Sequence, residues 1–227
     1  MNECLIREAI KQDIPFLADV VIAAEKGGSD KLSFSTLFNL TENEVKDLLI
    51  AIFEEEIDGC ELSLSSFLVA EYNGELVAAS GAWIEKFDGG MSSQLLKSNL
   101  ISYTFKKESI AFLKTKADII KDILIEREPL TLQFEYLYIK QDYAGRGIDI
   151  ELVQRNEKKA LEKFPRLKKA QCQLFKNNIF AVKMALKKGF KITRSYKVAD
   201  SNILDYLAGD EKILMEKIYI NETNGEG

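Results

Sequence analysis

Two hydrophobic rhythms alternate along the chain. Cys4 to Ala9 reads as an opening strand. Phe16, Leu17, Val20, Val21 and Ala24 then recur at helical spacing, with Asp13 placed to cap the helix and Pro15 tolerated in its first turn. Lys26-Gly27-Gly28-Ser29-Asp30 breaks that helix. Thr41 and Glu44 form a capping box ahead of a second stripe: Val45, Leu48, Leu49, Ile52 and Phe53. Glu54, Glu55, Glu56 and Asp58 end it, as a solvated terminus that opposes the helix dipole. Phe67 to Tyr72 and Glu75 to Ile84 flank Asn73-Gly74, which predicts a hairpin, because a type I′ turn needs positive φ at both central positions.

From residue 87 to 130 the rhythm is helical but broken. Leu95, Leu96, Leu100, Ile110, Leu113, Ile119, Ile120, Ile123 and Leu124 predict two or three short helices. This insertion reads as extra helices over one sheet edge, by a narrow margin over a lid or a dimer surface. Leu132 to Ile139 is the next strand. Its period of 2 puts Leu137 and Ile139 on one face with Glu135. After Gly145-Arg146-Gly147, the stripe Ile148, Leu152, Val153, Asn156, Ala160 and Phe164 predicts a helix. Lys169 to Leu174 follows as a strand, then a helix from Asn178 to about Phe190, with Asn177 or Asn178 as cap and Gly189 as its left-handed end. Lys191 to Lys197 and Lys212 to Ile220 are the last strands, and residues 221–227 form a polar tail expected to be disordered. The expected fold class is therefore α/β: one domain over residues 1–220, a mixed, mostly antiparallel sheet flanked by helices, with a helical insertion.

Composition narrows the chemistry. The 227 residues include no histidine, which removes Ser-His-Asp and Cys-His catalysis and every His-ligated metal. Three scattered cysteines fit a reducing compartment better than a disulfide framework, and no metal site is expected. No apolar run approaches the ~20 residues of a membrane span. The first residues lack an export signal, so a cytoplasmic protein is expected. Residues 155 to 197 hold fourteen Lys and Arg against Glu157 and Glu162, a local +12 within a net charge of −5. That stretch is a solvated basic face or a surface for a polyanion; the acidic remainder would meet something cationic. Nucleic acid ranks low, because the chain is acidic and the basic stretch lacks interleaved aromatics.

The strand before Gly145-Arg146-Gly147-Ile148, together with Asn178, Ala181 and Lys187-Lys188-Gly189-Phe190, resembles the two signature segments of the GNAT N-acetyltransferases at the family's spacing. The opening Ile6-Arg7-Glu8-Ala9, followed by Asp13-Ile14-Pro15, resembles the family's usual start. The resemblance covers the chain apart from the insertion. It implies acetyl-CoA as acyl donor and an amine as acceptor, possessed by a small molecule or a protein. It assigns diphosphate binding to the backbone of Ala144, Gly145, Arg146, Gly147, Ile148 and Asp149, pantetheine pairing to Leu137, Tyr138 and Ile139, and an arm contact to Asn178. Glu135 matches a position where some polyamine-type members carry a glutamate, and is the candidate base. Three positions depart from the family: Ala144 for Arg or Gln, Asp149 for Gly or Ala, and Ala185 for the general-acid Tyr. Tyr143, Tyr138 and Cys172 are the candidate substitutes for that acid. The departures motivate a second reading, a catalytically degenerate module that binds acyl-CoA or a protein partner. A third is a structural protein dimerising through the insertion. The acidic remainder mildly favours a cationic acceptor, and a homodimer is among the expected assemblies.

Overall fold

A computed structural model describes residues 4–219. The chain order is β1 (Cys4–Glu8), α1 (Ile14–Lys26), α2 (Ser33–Phe38), α3 (Glu42–Glu54), β2 (Phe67–Tyr72), β3 (Glu75–Ile84), α4 (Ser93–Thr104), α5 (Lys107–Lys114), α6 (Ala117–Ile120), β4 (Leu132–Ile139), α7 (Ile148–Lys163), β5 (Lys169–Phe175), α8 (Ile179–Lys187), β6 (Lys191–Lys197) and β7 (Glu211–Ile218). The strands form one seven-stranded sheet in the order β1-β2-β3-β4-β5-β7-β6. Every neighbouring pair is antiparallel except β4 and β5, which α7 links by a crossover. This is the mixed, mostly antiparallel α/β architecture that the pattern predicts. The expected tail, and Ile220 at the end of the last strand, fall outside the described residues.

Local chemistry explains most of the boundaries. The β2–β3 turn has φ of 52° at Asn73 and 83° at Gly74, as the hairpin requires. At the start of α3, the Thr41 hydroxyl accepts from the Glu44 amide at 3.3 Å, and the Glu44 carboxylate accepts from the Thr41 amide at 2.9 Å. Asn178 caps α8 by accepting from the Ala181 amide at 3.1 Å. Asp13 departs from expectation. It makes no side-chain cap; it is buried and accepts from Arg7 at 2.6 and 3.0 Å and from the Ile10 amide at 2.8 Å. A buried carboxylate gains more from a two-pronged guanidinium than from one exposed amide. Helix α2 is absent from the sequence expectation, because six residues with only Phe34 and Phe38 buried are too short to show a period.

Two apolar layers cover the sheet. On one face α1, α2, α3 and the insertion pack on Phe67, Val69, Ala79 and Tyr136. On the other, α7 and α8 cover Ala70, Val77 and Ala78 towards β1 and Leu132, Ala170, Cys172 and Ile213 towards β7. The insertion packs in two places. Leu100, Ile101 and Phe105 join the α1–α3 core, while Ile119, Ile120 and Ile123 close a separate cluster with Val198, Ile203, Leu207 and Phe175. It therefore lies over the sheet face where β4 and β5 separate.

Candidate active site

The separation is the feature on which the site is built. β4 and β5 pair only over Leu132–Phe134 and Ala170–Cys172. Beyond these residues the β5-facing edge of β4 has no strand partner among the described residues. The cause lies in β4 itself. Between Glu135 and Tyr138 the register with β3 slips, and Tyr136 has φ of 56°. This β-bulge adds one residue to β4, bends the strand and ends its parallel pairing.

The bulge also overturns one sequence expectation. Strict alternation would place Glu135 with Leu137 and Ile139. Instead, Leu137 and Ile139 pack with Ile148 and Leu152 on the α7 face. Glu135 shares the opposite face with Tyr136 and Tyr138, which lie among the α1 core. A left-handed residue between them consumes one step of the alternation, so Glu135 and Tyr136 point to the same side.

On that side the polar groups are tightly connected. Arg127, from the end of the insertion, donates through Nη2 to Glu135 Oε2 at 2.9 Å and to Glu61 Oε1 at 3.1 Å, and through Nη1 to Ser93 Oγ at 3.2 Å. Its guanidinium lies 5.0 Å from the Trp83 ring centre, and Trp83 Nε1 donates to Glu85 at 3.1 Å. Lys97 from α4 reaches Glu61 at 3.1 Å and Tyr136 Oη at 3.4 Å. Tyr136 Oη donates to Glu25 Oε1 at 3.1 Å, and Ser33 Oγ donates to the other Glu25 oxygen. Burial alone would raise the Glu61 pKa; Arg127 and Lys97 outweigh it and hold the carboxyl down at about 2. Burial, with Glu25 and Glu135 nearby, pushes the Tyr136 phenol well up, so it stays a donor. Glu61 Oε2 and Arg127 Nε are both buried with no partner among the described residues.

On the other side of the sheet, five consecutive amides have no acceptor. The Ala144 amide is consumed by Gln141 O at 3.1 Å, and regular helix bonding resumes with the Ile150 and Glu151 amides, both donating to Gly147 O. Between them the amides of Gly145, Arg146, Gly147, Ile148 and Asp149 bond to nothing among the described residues. Gly145 and Gly147 have φ of 76° and 79°, and a Cβ at either would meet nothing within 4 Å. Glycine is required there by conformation and leaves open space for a ligand. A nest of unpaired amides at a helix N-terminus fits a diphosphate in both charge and hydrogen-bonding capacity. Asp149 does not intrude: its carboxylate is ion-paired with Lys188, at the end of α8. Arg146 lies over Tyr143, 4.9 Å from its ring centre, and donates to Asp142 O at 3.1 Å.

Asn178 stands between these regions. Its Oδ1 is occupied as the α8 cap, and its Nδ2 lies so near Gly27 that a Cβ there would stand 2.9 Å away. The loop after α1 thereby touches the start of α8. The candidate acids sit in different surroundings. Tyr143 Oη donates to Glu75 at 3.2 Å, Tyr138 packs against the α1 core, and burial, reinforced by Glu135, pushes the Cys172 thiol up to about 12. Ala185 is buried against α8's own core. A groove of about 700 Å³ lined by Glu128, Pro129, Thr131, Phe164 and Lys168 lies at the opposite end of β4, away from these groups.

Of the sequence-predicted residues, the fold gathers Gly145 to Asp149 into one amide nest, with Leu137 and Ile139 on the neighbouring strand. It places Glu135 on the other face. Sequence reasoning did not find Glu61, Lys97, Arg127 or Glu25. Arg127 and Glu61 are 66 positions apart, and Tyr136 and Glu25 are 111, so no local pattern links them.

No protein-family model matches the chain, and no curated protein matches it. Solved structures do. An N-acetyltransferase from Staphylococcus aureus Mu50 is 16% identical with a TM-score of 0.64, over 93% of this chain and 99% of that one. A Drosophila melanogaster polyamine N-acetyltransferase that forms N-acetylagmatine is 11% identical with a TM-score of 0.57, over 96% and 100%. PaiA N-acetyltransferase from Thermoplasma acidophilum, in complex with coenzyme A, is 15% identical with a TM-score of 0.50, over 96% and 99%. Near-complete coverage in both directions gives this chain the GNAT acetyltransferase fold.

Proposed function

We propose that the chain is a GNAT-family N-acetyltransferase that uses acetyl-CoA to acetylate a primary amine of a small molecule or a protein. The observation that carries this reading is the run of five unpaired amides from Gly145 to Asp149 beside the unpaired edge of β4. Bound acetyl-CoA would supply the acetyl thioester. The amides hold the diphosphate, and the helix dipole adds to their attraction. The free edge of β4 from Leu137 through Tyr138 to Ile139 extends the sheet by pairing with the pantetheine arm. Asn178 Nδ2 is the remaining donor at the mouth of α8. Lys188 neutralises Asp149, so the carboxylate does not repel the diphosphate.

Glu135 takes the proton of the attacking amine, directly or through a water. Its Oε2 is fixed by Arg127, which leaves Oε1 for the acceptor side. With Ala185 in place of a phenol and the Cys172 thiol made a weak acid by burial, the departing sulfur takes its proton from water or from Tyr138. The same absence of a hydroxyl at Ala185 supports the second reading, a module that binds acyl-CoA without turnover.

Calorimetric titration with acetyl-CoA comes first; no binding at millimolar ligand removes both readings. Thiol release over a panel of amines then separates enzyme from binder. Glu135→Gln is expected to lower turnover by about 100-fold, the lower end of general-base contributions, with CoA affinity unchanged. Unaltered turnover in that variant removes Glu135 from the reaction.

A further inference from the structure

The last segment of the insertion lies across the two strands where they separate. Gln173 follows Cys172, the last β5 residue paired with β4. Cys172 packs on the α8 side, so alternation turns Gln173 and Phe175 to the Glu135 face. There Gln173 Nε2 donates to Ile125 O at 3.1 Å, and Arg127, two residues on, donates to Glu135 at 2.9 Å. Residues 125–127 thus strap β5 to β4 just beyond the end of their pairing.

The other borders of this face are tied to one another as well. Ile119, Ile120 and Ile123 of the insertion pack with Val198, Ile203 and Leu207 of the β6–β7 loop, residues 198–210. That loop is fastened at two further points: Thr36 Oγ1 of α2 donates to Tyr206 O, and Asn177 Nδ2 donates to Ala208 O at 2.6 Å. The neighbouring Asn178 touches Gly27, just after α1. The insertion, the β6–β7 loop, α2 and the start of α8 therefore form a continuous collar around the Glu135 side of the opening. A helical layer is about 10 Å thick, more than the four-carbon stem of a lysine spans. A lysine on the surface of a folded protein would stop short of Glu135, whose side chain is only 17% exposed. An extended peptide is held by pairing with a sheet edge, and the β4 edge at this opening is taken by pantetheine when acetyl-CoA binds.

We propose that the acceptor is a small free amine that passes through this collar, and not an amine carried on a protein. This rests on the acetyl-transfer reading and narrows its substrate class. Opening the collar for a polypeptide breaks at least the Thr36 and Asn177 hydrogen bonds, each worth up to about 10-fold, so the best free amine should exceed peptides in kcat/KM by about 100-fold. Thiol release by the full chain is measured with free diamines, aromatic amines and amino acids. The same assay is run with peptides bearing a free N-terminus, with N-terminally blocked lysine peptides and with an unfolded protein. Thr36→Val removes one tie of the collar and should narrow the ratio several-fold, through faster reaction of the peptides and not through loss of the free amines. Peptide or protein acetylated within about 10-fold of the best free amine, or a ratio unmoved in Thr36→Val, overturns the proposal. Parallel acetyl-CoA titrations keep the two ideas apart: absent CoA binding sinks acetyl transfer and this inference with it, whereas efficient acetylation of peptides sinks this inference alone.

Discussion

Replacing Arg127 with methionine removes the charge that holds two carboxylates together while keeping much of the side-chain volume. Arg127, Glu61 and Glu135 have side chains 11%, 2% and 17% exposed, so solvent screens them weakly. Removing one partner of such a buried pair costs about 3–5 kcal/mol, because a desolvated charge remains. Proton linkage gives the pH dependence of the loss. Glu61 is held below its ordinary 4.5, at about 2, against the opposing effect of burial, with Arg127 the largest favourable contributor. The sign follows from that depression. In the wild type this stabilisation is fully present above pH 4.5 and is lost as pH falls towards about 2. In Arg127→Met only Lys97 and a backbone hydrogen bond oppose burial, so the folded-state pKa of Glu61 climbs and protonation relieves the penalty. The deficit is therefore expected to be largest at pH 7 and to shrink by pH 4. Urea unfolding followed through Trp83, the single tryptophan and a neighbour of Arg127, measures it directly. The melting temperature should drop by about 6–20 °C at pH 7. A loss below about 1 kcal/mol, or one equal at both pH values, would refute the view that Arg127 neutralises buried carboxylates.

The amide nest gives two further predictions. Lys188→Met frees the Asp149 carboxylate beside the diphosphate and should weaken CoA binding about 10-fold, the scale of one nearby unscreened charge; adding Asp149→Asn should restore it, and calorimetry that finds no rescue would separate Asp149 from the phosphates. Gly147→Ala places a Cβ at φ of 79°, which costs about 1–2 kcal/mol of stability, yet it meets no protein atom within 4 Å. Its loss of CoA affinity should exceed its loss of stability, and equal losses would show that the space above Gly147 is not where the ligand sits.

Periodicity and turn chemistry, which act within a few residues, determined the element order, the Asn73-Gly74 hairpin, the Thr41 capping box and the glycine-marked entry into α7. The spacing between Gly145-Arg146-Gly147 and the Asn178 segment was enough to carry the GNAT resemblance. The tertiary structure decided matters that depend on partners distant in sequence. Alternation put Glu135 with Leu137, but one left-handed residue at Tyr136 moved it to the opposite face. Asp149 departs from the family's Gly or Ala, and only the fold shows that the end of α8 brings Lys188 against its carboxylate. The insertion read only as cover for an edge; that it also carries Lys97 and Arg127 to a glutamate from before the hairpin depends on the tertiary structure. A bulge and a long-range ion pair leave no local periodic trace: each is fixed by which strands splay and which charges must share a buried space.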